Sequence, residues 1–265
     1  MKIHGQQTLL WFTIIFLLAN PDKFQSLNIY PWKLNKDKRD KMLNIDDLDI
    51  ANTELIKLLG VHIDDNLNFT EHISKLCTKA SQKVGVLSCL QNLIPCKVKP
   101  LLYKSVILPY LTYCHLTWHF CKSSDKRKLE RIQERALRVI YKPHSDKFEE
   151  LLRRADILSL YNKRLQDITA LMYKVKHGLV PDCVSNIFLR KGSTRCGIVT
   201  SRYHVFSVTT RYQHSVRYLG PFLWQKLTVN QRNSPCLPVF IDKNRKLDLA
   251  DILTNNSKGC NLCNQ

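Results

Sequence analysis

The chain has 265 residues, with 41 Lys and Arg against 22 Asp and Glu, and a formal net charge of +19. A hydrophobic content of 44% is ordinary for a globular protein and excludes global disorder. The charge favours polyanionic partners, nucleic acid first and an anionic membrane surface second, although a solvated basic surface would show the same balance.

The N-terminal apolar run Leu9–Ala19 follows Met1 and Lys2 and has the length of a signal-peptide hydrophobic region, which is too short to span a membrane. Asn20-Pro21 then ends any helix, because proline disfavours a helical conformation in the residue before it.

Three segments have the residue pattern of β-strands, namely Phe24–Tyr30, Leu48–Ala51 and Leu55–Ile63. The charged stretch Pro31–Lys41 is expected to be a loop. These strands predict a small antiparallel sheet. Such a sheet is weak alone, so a helix must cover one face.

A long helix is predicted from about Thr70, with Asn68 or Thr70 as its cap and Glu71 in its first turn. Its apolar residues recur with helical period and define one inward face. They are Ile73, Leu76, Ala80, Val84, Leu87, Leu90 and Ile94.

More helices follow. Leu101–Phe120 is apolar almost all round and is expected to be the buried central helix, kinked at Pro109. Ser123-Ser124 should cap a helix over Asp125–Lys142, which Pro143 ends.

Three shorter helical segments are predicted after this helix. Phe148–Ala155 is a short helix, Ser159 caps another that ends near Gly178, and Pro181–Leu189 forms a last turn or two. The inward residues of the helix after Ser159 are Leu165, Ile168, Met172 and Val175.

The C-terminal pattern is looser. Ser201–Arg217 fits a strand or an irregular arm, Tyr218–Leu227 should dock on the helices, and Asp242–Gln265 should be frayed. The predicted fold class is α+β, predominantly α, with a small N-terminal antiparallel sheet before a helical bundle and an irregular tail. The predicted domains are 1–66, 67–190 and 191–265.

Two basic stripes are the candidate functional residues, because cations one helical turn apart form a line that suits phosphates. The first comprises Lys75, Lys79 and Lys83, and the second comprises Arg127, Arg131, Arg135, Arg138 and Lys142. A solvated face is the alternative, since Glu130 and Glu134 lie three or four residues from Arg127, Arg131 or Arg138 and are spaced to pair with them.

Other chemistry is less favoured. Ten cysteines are too few for a small disulfide scaffold, and free buried thiols in a reducing compartment are expected. Core packing is favoured over zinc binding for the cluster Cys114, His115, His119 and Cys121, although His115 and His119 share a predicted helical face. Cys260-x2-Cys263 is half a zinc motif. The sequence contains no phosphate loop and no Gly-x-Ser-x-Gly elbow.

The segment Leu58–Ile73, LLGVHIDDNLNFTEHI, resembles the "YLGvxiDxxLxWxxHI" run at the end of the palm in non-LTR (LINE, jockey-like) retrotransposon reverse transcriptases. Further similar segments occur in the same order as in that family. They are Trp11-Phe12 with Asn20–Gln25, Leu108–Ile140, Ser159–Arg164 and Tyr218–Lys246. The first of these implies that the run Leu9–Ala19 is an amphipathic helix of the palm, and this interpretation is preferred over a signal peptide. Gln225 replaces an expected Asn, and the Leu-Pro after it is lost.

The resemblance implies the end of the palm, the thumb and the tail of such an enzyme. The family's [FY]ADD tetrapeptide does not occur here, and Asp46-Asp47 and Asp64-Asp65 are interpreted as turn residues. We therefore expect a truncated, catalytically inactive fragment that binds RNA or DNA backbone. No cofactor is expected, because Mg²⁺ would serve only the full-length enzyme, and neither is a small-molecule substrate or a membrane partner.

Cytoplasm or nucleus is the expected location. The alternative is a secreted or membrane-associated interaction protein in which Leu9–Ala19 is a signal peptide and the cysteines form disulfides. A genomic relic without a selected function would carry the same residues.

Overall fold

A computed structural model describes residues 14, 24–29, 43–45, 48–141, 146–188, 215–245 and 247–255. The chain divides into two compact units, Met1–Lys75 and Leu76–Gln265. The described strands lie in the first unit, whereas the regular elements described in the second unit are helices. The predicted α+β, predominantly α, fold class is confirmed.

Two antiparallel hairpins form the strand part. Leu43–Ile45 (β1) pairs with Leu48–Ile50 (β2), and Leu55–Leu58 (β3) pairs with Val61–Asp64 (β4). The prediction of one continuous strand over Leu55–Ile63 was wrong. Leu59 and Gly60 have φ of 47° and 84° and form a two-residue turn of the kind that closes twisted hairpins.

The segment predicted as a strand at Phe24–Tyr30 contributes only an isolated bridge between Ser26 and Asn52 among the described residues. Tyr30, the predicted loop Pro31–Lys41 and the pair Asp46-Asp47 lie outside those residues. The described part of the first unit therefore consists of hairpins rather than a three-stranded sheet.

The first helix, α1, spans Thr70–Cys89 as its period predicts. Its start is organised by Asp64, not by Asn68 or Thr70. The Asp64 carboxylate accepts hydrogen bonds from the backbone N–H groups of Asn68 at 3.0 Å and Phe69 at 2.6 Å. It also accepts one from Asn66 N–H at 3.1 Å, which confirms Asp64 as a turn residue.

The predicted inward face of α1 is confirmed from Ile73 to Leu87, where each residue predicted for that face is buried. Leu90, by contrast, is 41% exposed, because the helix ends at Cys89 and its period no longer applies.

The next segment differs from its prediction. Lys99–Leu102 (α2), a π-helical stretch at Tyr103–Ile107 and Leu108–Thr112 (α3) replace the predicted helix Leu101–Phe120. Pro109 has no N–H for the Ser105 carbonyl four residues earlier, and the wider π turn precedes it. After Thr112 the chain continues in turns, so His115 and His119 do not share a helical face.

Helix α4 spans Ser123–Ile140 and helix α5 spans Phe148–Ala155, and they pack on each other. The α5 bounds match the prediction. Helix α4 starts two residues earlier than predicted because Lys122, rather than a serine, occupies the N-cap, and no side chain caps it.

Helix α6, Leu160–Lys176, is the central helix of the second unit. It packs on α3 and α4 and on three helices of the C-terminal part. Ser159 caps it by accepting a hydrogen bond from Asn162 N–H at 3.2 Å, as predicted, and Gly178 follows with φ of 65°. The prediction that Leu101–Phe120 was central is wrong, because Leu101 and Val106 are exposed.

Five short helices follow α6 in the described part of the chain. They are Asp182–Phe188 (α7), Val216–Lys226 (α8), Val229–Arg232 (α9), Leu237–Asn244 (α10) and Leu249–Asn255 (α11). The predicted docking of Tyr218–Leu227 is confirmed, because Leu219, Leu223 and Trp224 join the core around α6. The prediction of fraying from Asp242 was wrong for α11, since Leu249 and Leu253 are buried in that core.

Positions 201–214, part of the segment predicted as a strand or arm, lie outside the described residues, as do the last ten residues with Cys260 and Cys263. The described end of that segment, Arg217, lies in α8 and not in a strand. Within the described helices, none has both the length and the apolar character required to cross a membrane.

The seven cysteines in the described part of the chain are unpaired. Only Cys121 is buried and Cys77 is half-buried, so the expectation of buried thiols was wrong for the exposed majority. The exposed thiols are Cys89, Cys96, Cys114, Cys183 and Cys236.

Candidate nucleic-acid interface

Three arginines of α4 form a line on its outer face. Arg127, Arg131 and Arg135 are exposed and lie four residues apart, so they repeat at nearly one helical turn. With a rise of 1.5 Å per residue, the line is roughly 12 Å long. Leu129, Ile132 and Ala136 are buried on the opposite face, which fixes the orientation of the helix and keeps the arginines in solvent.

Glu130, expected to neutralise part of this line, does not lie in it. Its Oε1 accepts a hydrogen bond from Tyr161 N–H at 2.7 Å, and its Oε2 accepts one from Leu160 N–H at 3.3 Å. These are unsatisfied donors of the first turn of α6, where the helix dipole also favours a negative charge. Glu130 therefore serves the start of α6 and leaves Arg127 without this counter-charge, while Glu134, which is spaced to pair with Arg131, is bound by Arg138.

The neighbouring Gln133 completes the same junction. Its Oε1 accepts from Leu160 N–H at 3.1 Å and its Nε2 donates to the Leu158 carbonyl at 2.9 Å. Burial raises the pKa of the Glu130 carboxyl, whereas the Arg164 charge and the two backbone N–H groups lower it. The carboxylate is thus held where its negative charge is compensated by protein groups rather than by the exposed arginines.

Arg138 differs from the other arginines of the predicted stripe. Its Nη2 and Nε donate to Glu134 Oε1 at 2.7 and 3.1 Å, and its Nη1 donates to the Asp146 carbonyl at 3.3 Å. At this end of α4 the charge of an arginine is therefore balanced by a glutamate of the same helix, as the alternative of a solvated face predicted. Lys142 lies outside the described residues.

The lysines of α1 have three different environments. Lys75 forms an exposed ion pair with Glu71 at 3.1 Å, which contributes little to stability. Lys79 is exposed. Lys83 is half-buried, with its Nζ 5.5 Å from the centroid of the Tyr110 ring, a cation–π contact between α1 and α3. This contact was not predicted. Two features of the sequence could have indicated it, namely the lysines spaced four residues apart in α1 and the tyrosines in the apolar segment that follows.

Arg164 is the basic residue that sequence reasoning did not single out. Its side chain is fully buried, with Cζ 5.5 Å from the Trp118 ring and 5.8 Å from the Tyr161 ring. None of its three guanidinium nitrogens has a hydrogen-bond partner within the described part of the chain. Burial lowers its pKa, and the Glu130 carboxylate opposes this shift. Because it is inaccessible, Arg164 belongs to the core and not to the interface.

The histidines considered as metal ligands are engaged in packing. His115 Nε2 lies 2.9 Å from Asp167 Oδ2, and the buried His119 ring stacks on Tyr161 with centroids 5.8 Å apart. Burial lowers the pKa of His119, and the charges of Arg164 and Lys126 lower it further. The residues that the structure describes contain no group of three or more His, Cys, Asp or Glu side chains able to hold a metal ion.

Comparison of the chain with models of known protein families, with curated proteins and with solved structures gave no match.

Proposed function

We propose that the protein binds the sugar–phosphate backbone of RNA or DNA without reading its sequence, through the line Arg127, Arg131 and Arg135. The observation that carries the proposal is that Glu130 binds the start of α6 and Glu134 binds Arg138, so neither glutamate of α4 is paired with these three exposed arginines. Arginine is suited to this role, because its planar fork makes paired hydrogen bonds to phosphate oxygens.

The overall charge supports the same proposal. A net charge of +19 attracts polyanions over distances longer than any single contact. Contacts to phosphates fix the position of a protein on a strand but carry no base information. The proposed activity is therefore salt-sensitive and tolerant of sequence.

The resemblance to non-LTR retrotransposon reverse transcriptases supports the proposal from a second direction, because a polymerase thumb contacts nucleic-acid backbone. On this proposal, the segments similar to the family derive from the end of the palm, the thumb and the tail of such an enzyme. We also place the protein in the cytoplasm or nucleus, where nucleic acid is available. Polymerase activity is not part of the proposal.

The test is a fluorescence-anisotropy titration of the full chain with a labelled primer–template duplex at several salt concentrations. We expect log Kd to rise linearly with log salt, with a slope of about one per phosphate contacted. Reversing Arg127, Arg131 and Arg135 to Glu should weaken binding and lower that slope by several units, while circular dichroism shows unchanged helicity.

A matched control variant has the same change of charge on helices α8 and α10. Arg217, Lys226 and Lys243 are exposed on α8 and α10, and their reversal to Glu lowers the net charge by the same amount. If both triple variants weaken binding equally, only the net charge matters and the α4 line is not the site. If wild-type protein does not bind at low salt, the proposal fails.

A further inference from the structure

The charged residues of one long stretch of the chain are all basic. Every Lys, Arg, Asp or Glu between Glu71 and Asp125 is a lysine, and the stretch includes α1 beyond its first turn, α2, the π-helical turn and α3. Among these lysines, Lys79 and Lys104 are exposed and Lys83 is half-buried. No carboxylate from this stretch can neutralise them, so the surface they form is complementary to a polyanion.

Two tyrosines lie on the same part of the molecule. Tyr110 is in α3 and Tyr113 is its C-terminal cap, three residues later, so the two side chains are neighbours on one face. Lys83 connects this face to α1, because its Nζ lies 5.5 Å from the Tyr110 ring centroid. The Tyr113 side chain is 49% exposed.

The backbone that carries Tyr113 is held in place by the core. The Trp118 indole, which is fully buried, donates a hydrogen bond from Nε1 to the Tyr113 carbonyl at 3.1 Å. The Thr112 hydroxyl donates to the Leu108 carbonyl at 3.0 Å. Tyr113 is thus an exposed aromatic ring on a fixed backbone, which lowers the entropic cost of placing another ring on it.

We propose that this face, comprising Lys79, Lys83, Tyr110 and Tyr113, binds single-stranded nucleic acid by stacking an unpaired base on Tyr113 while Lys79 and Lys83 contact the adjacent phosphates. Aromatic rings beside lysines are the combination that single-strand binders use, since every base has a face that can stack. Bases within a duplex are already stacked and paired, so the same face discriminates against a duplex. This inference rests on the proposed nucleic-acid binding and adds a strand preference to it.

The experiment compares two labelled probes, an oligo(dT) single strand and a DNA hairpin duplex with the same number of phosphates. We expect Tyr113→Leu to weaken oligo(dT) binding about tenfold, the loss typical of one stacked base, and to leave duplex binding unchanged. Because stacking releases no counterions, the salt dependence of oligo(dT) binding should keep its slope.

The matched control is Tyr141→Leu, which removes another tyrosine in a cation–π contact, with Arg154 Cζ 5.0 Å from its ring. We expect this variant to bind both probes like the wild type. A second readout needs no variant: oligonucleotides with 5-iodouracil, photo-crosslinked to wild-type protein, should label the tryptic peptide that contains both Tyr110 and Tyr113, residues 105–122.

The outcomes separate this inference from the proposed function. If reversal of the α4 arginines abolishes binding but Tyr113→Leu leaves oligo(dT) affinity unchanged, backbone binding stands and the stacking surface is excluded. Equal weakening of single strand and duplex by Tyr113→Leu, or crosslinks confined to other peptides, also overturns it. If neither probe binds wild-type protein, both proposals fall.

Discussion

The carboxylate of Glu130 accepts a hydrogen bond from the backbone N–H of Tyr161 at 2.7 Å, across 31 positions of the sequence. This contact joins α4 to the start of α6, the central helix of the second unit. It also decides the character of the α4 surface, because the same carboxylate would otherwise be spaced to pair with Arg127, three residues earlier. One contact thus contributes to both stability and surface charge.

Replacing Glu130 with alanine should therefore destabilise the protein without weakening nucleic-acid binding. The Tyr161 N–H would lose its acceptor and the Leu160 N–H would keep only Gln133, so we expect a loss of about 1–3 kcal/mol in the free energy of unfolding. Urea denaturation measures this loss. The control Glu149→Ala removes an exposed glutamate from the first turn of α5 and should cost less than about 0.5 kcal/mol. Equal costs for the two variants would contradict the role of Glu130.

The contrast between Ser159 and Glu130 shows where sequence reasoning ends. Ser159 was predictable as a cap because a serine accepts a hydrogen bond from an N–H three residues later, a local rule. Glu130 acts on a helix 30 residues away, and its local spacing suggested surface ion pairs instead. The arginine line was therefore predictable, but its lack of a neutralising glutamate required tertiary structure.

The position at which α3 ends was likewise not predictable from the local sequence. The apolar run Leu101–Phe120 has no local stop signal after Pro109, and its composition predicted one long helix. The chain leaves the helix at Tyr113, where the Trp118 indole binds the carbonyl, and Cys114 has φ of 49°. These tertiary contacts override helix propensity. They also leave Tyr113 exposed, so the proposed stacking surface could not be predicted from the sequence.

Stability of the second unit should decrease as the pH falls below about 6.5. His119 is buried and its pKa is lowered, so below 6.5 the unfolded chain binds a proton that the folded protein does not. The free energy of unfolding should then fall by up to about 1.4 kcal/mol per pH unit for this group. His119→Phe, which keeps an aromatic ring on Tyr161, should reduce the slope.

Urea denaturation at pH 7.5, 6.5 and 5.5 measures this slope. The raised pKa of Glu130 has the opposite effect on the free energy of unfolding as the pH falls. The slope of the His119 variant is therefore compared with that of the wild type, instead of interpreting the wild-type slope alone. Replacing the exposed His177 with Gln provides the control and should retain the wild-type slope. An unchanged slope in His119→Phe would show that another group causes the pH dependence.

Arg164 should be replaceable by methionine at little cost. Its buried guanidinium has no hydrogen bond among the described residues, so it contributes packing, cation–π contacts with Trp118 and Tyr161, and attraction to the Glu130 charge. Methionine has a similar length and removes the cost of desolvating the guanidinium, which offsets the lost attraction to Glu130. We expect Arg164→Met to change the free energy of unfolding by less than about 1.5 kcal/mol. Arg164→Ala should cost about 2–5 kcal/mol because it leaves a cavity. A severe loss in the methionine variant would show that the charge itself stabilises the fold.

Two glycines in helices should respond to alanine with opposite signs. A Cβ added at Gly220 in α8 would lie 2.8 Å from Met172 Sδ and 3.4 Å from Phe188 Cε1, so the buried Met172 side chain or α8 itself would have to move. We expect Gly220→Ala to destabilise the protein by about 1–3 kcal/mol through overpacking. At Gly85 in α1 no atom lies within 4 Å of the added Cβ, and alanine should stabilise by about 0.5–1 kcal/mol, the difference in helix propensity. Thermal unfolding of the two single variants measures both effects, and a stabilising Gly220→Ala would contradict the close approach of α8 to Met172.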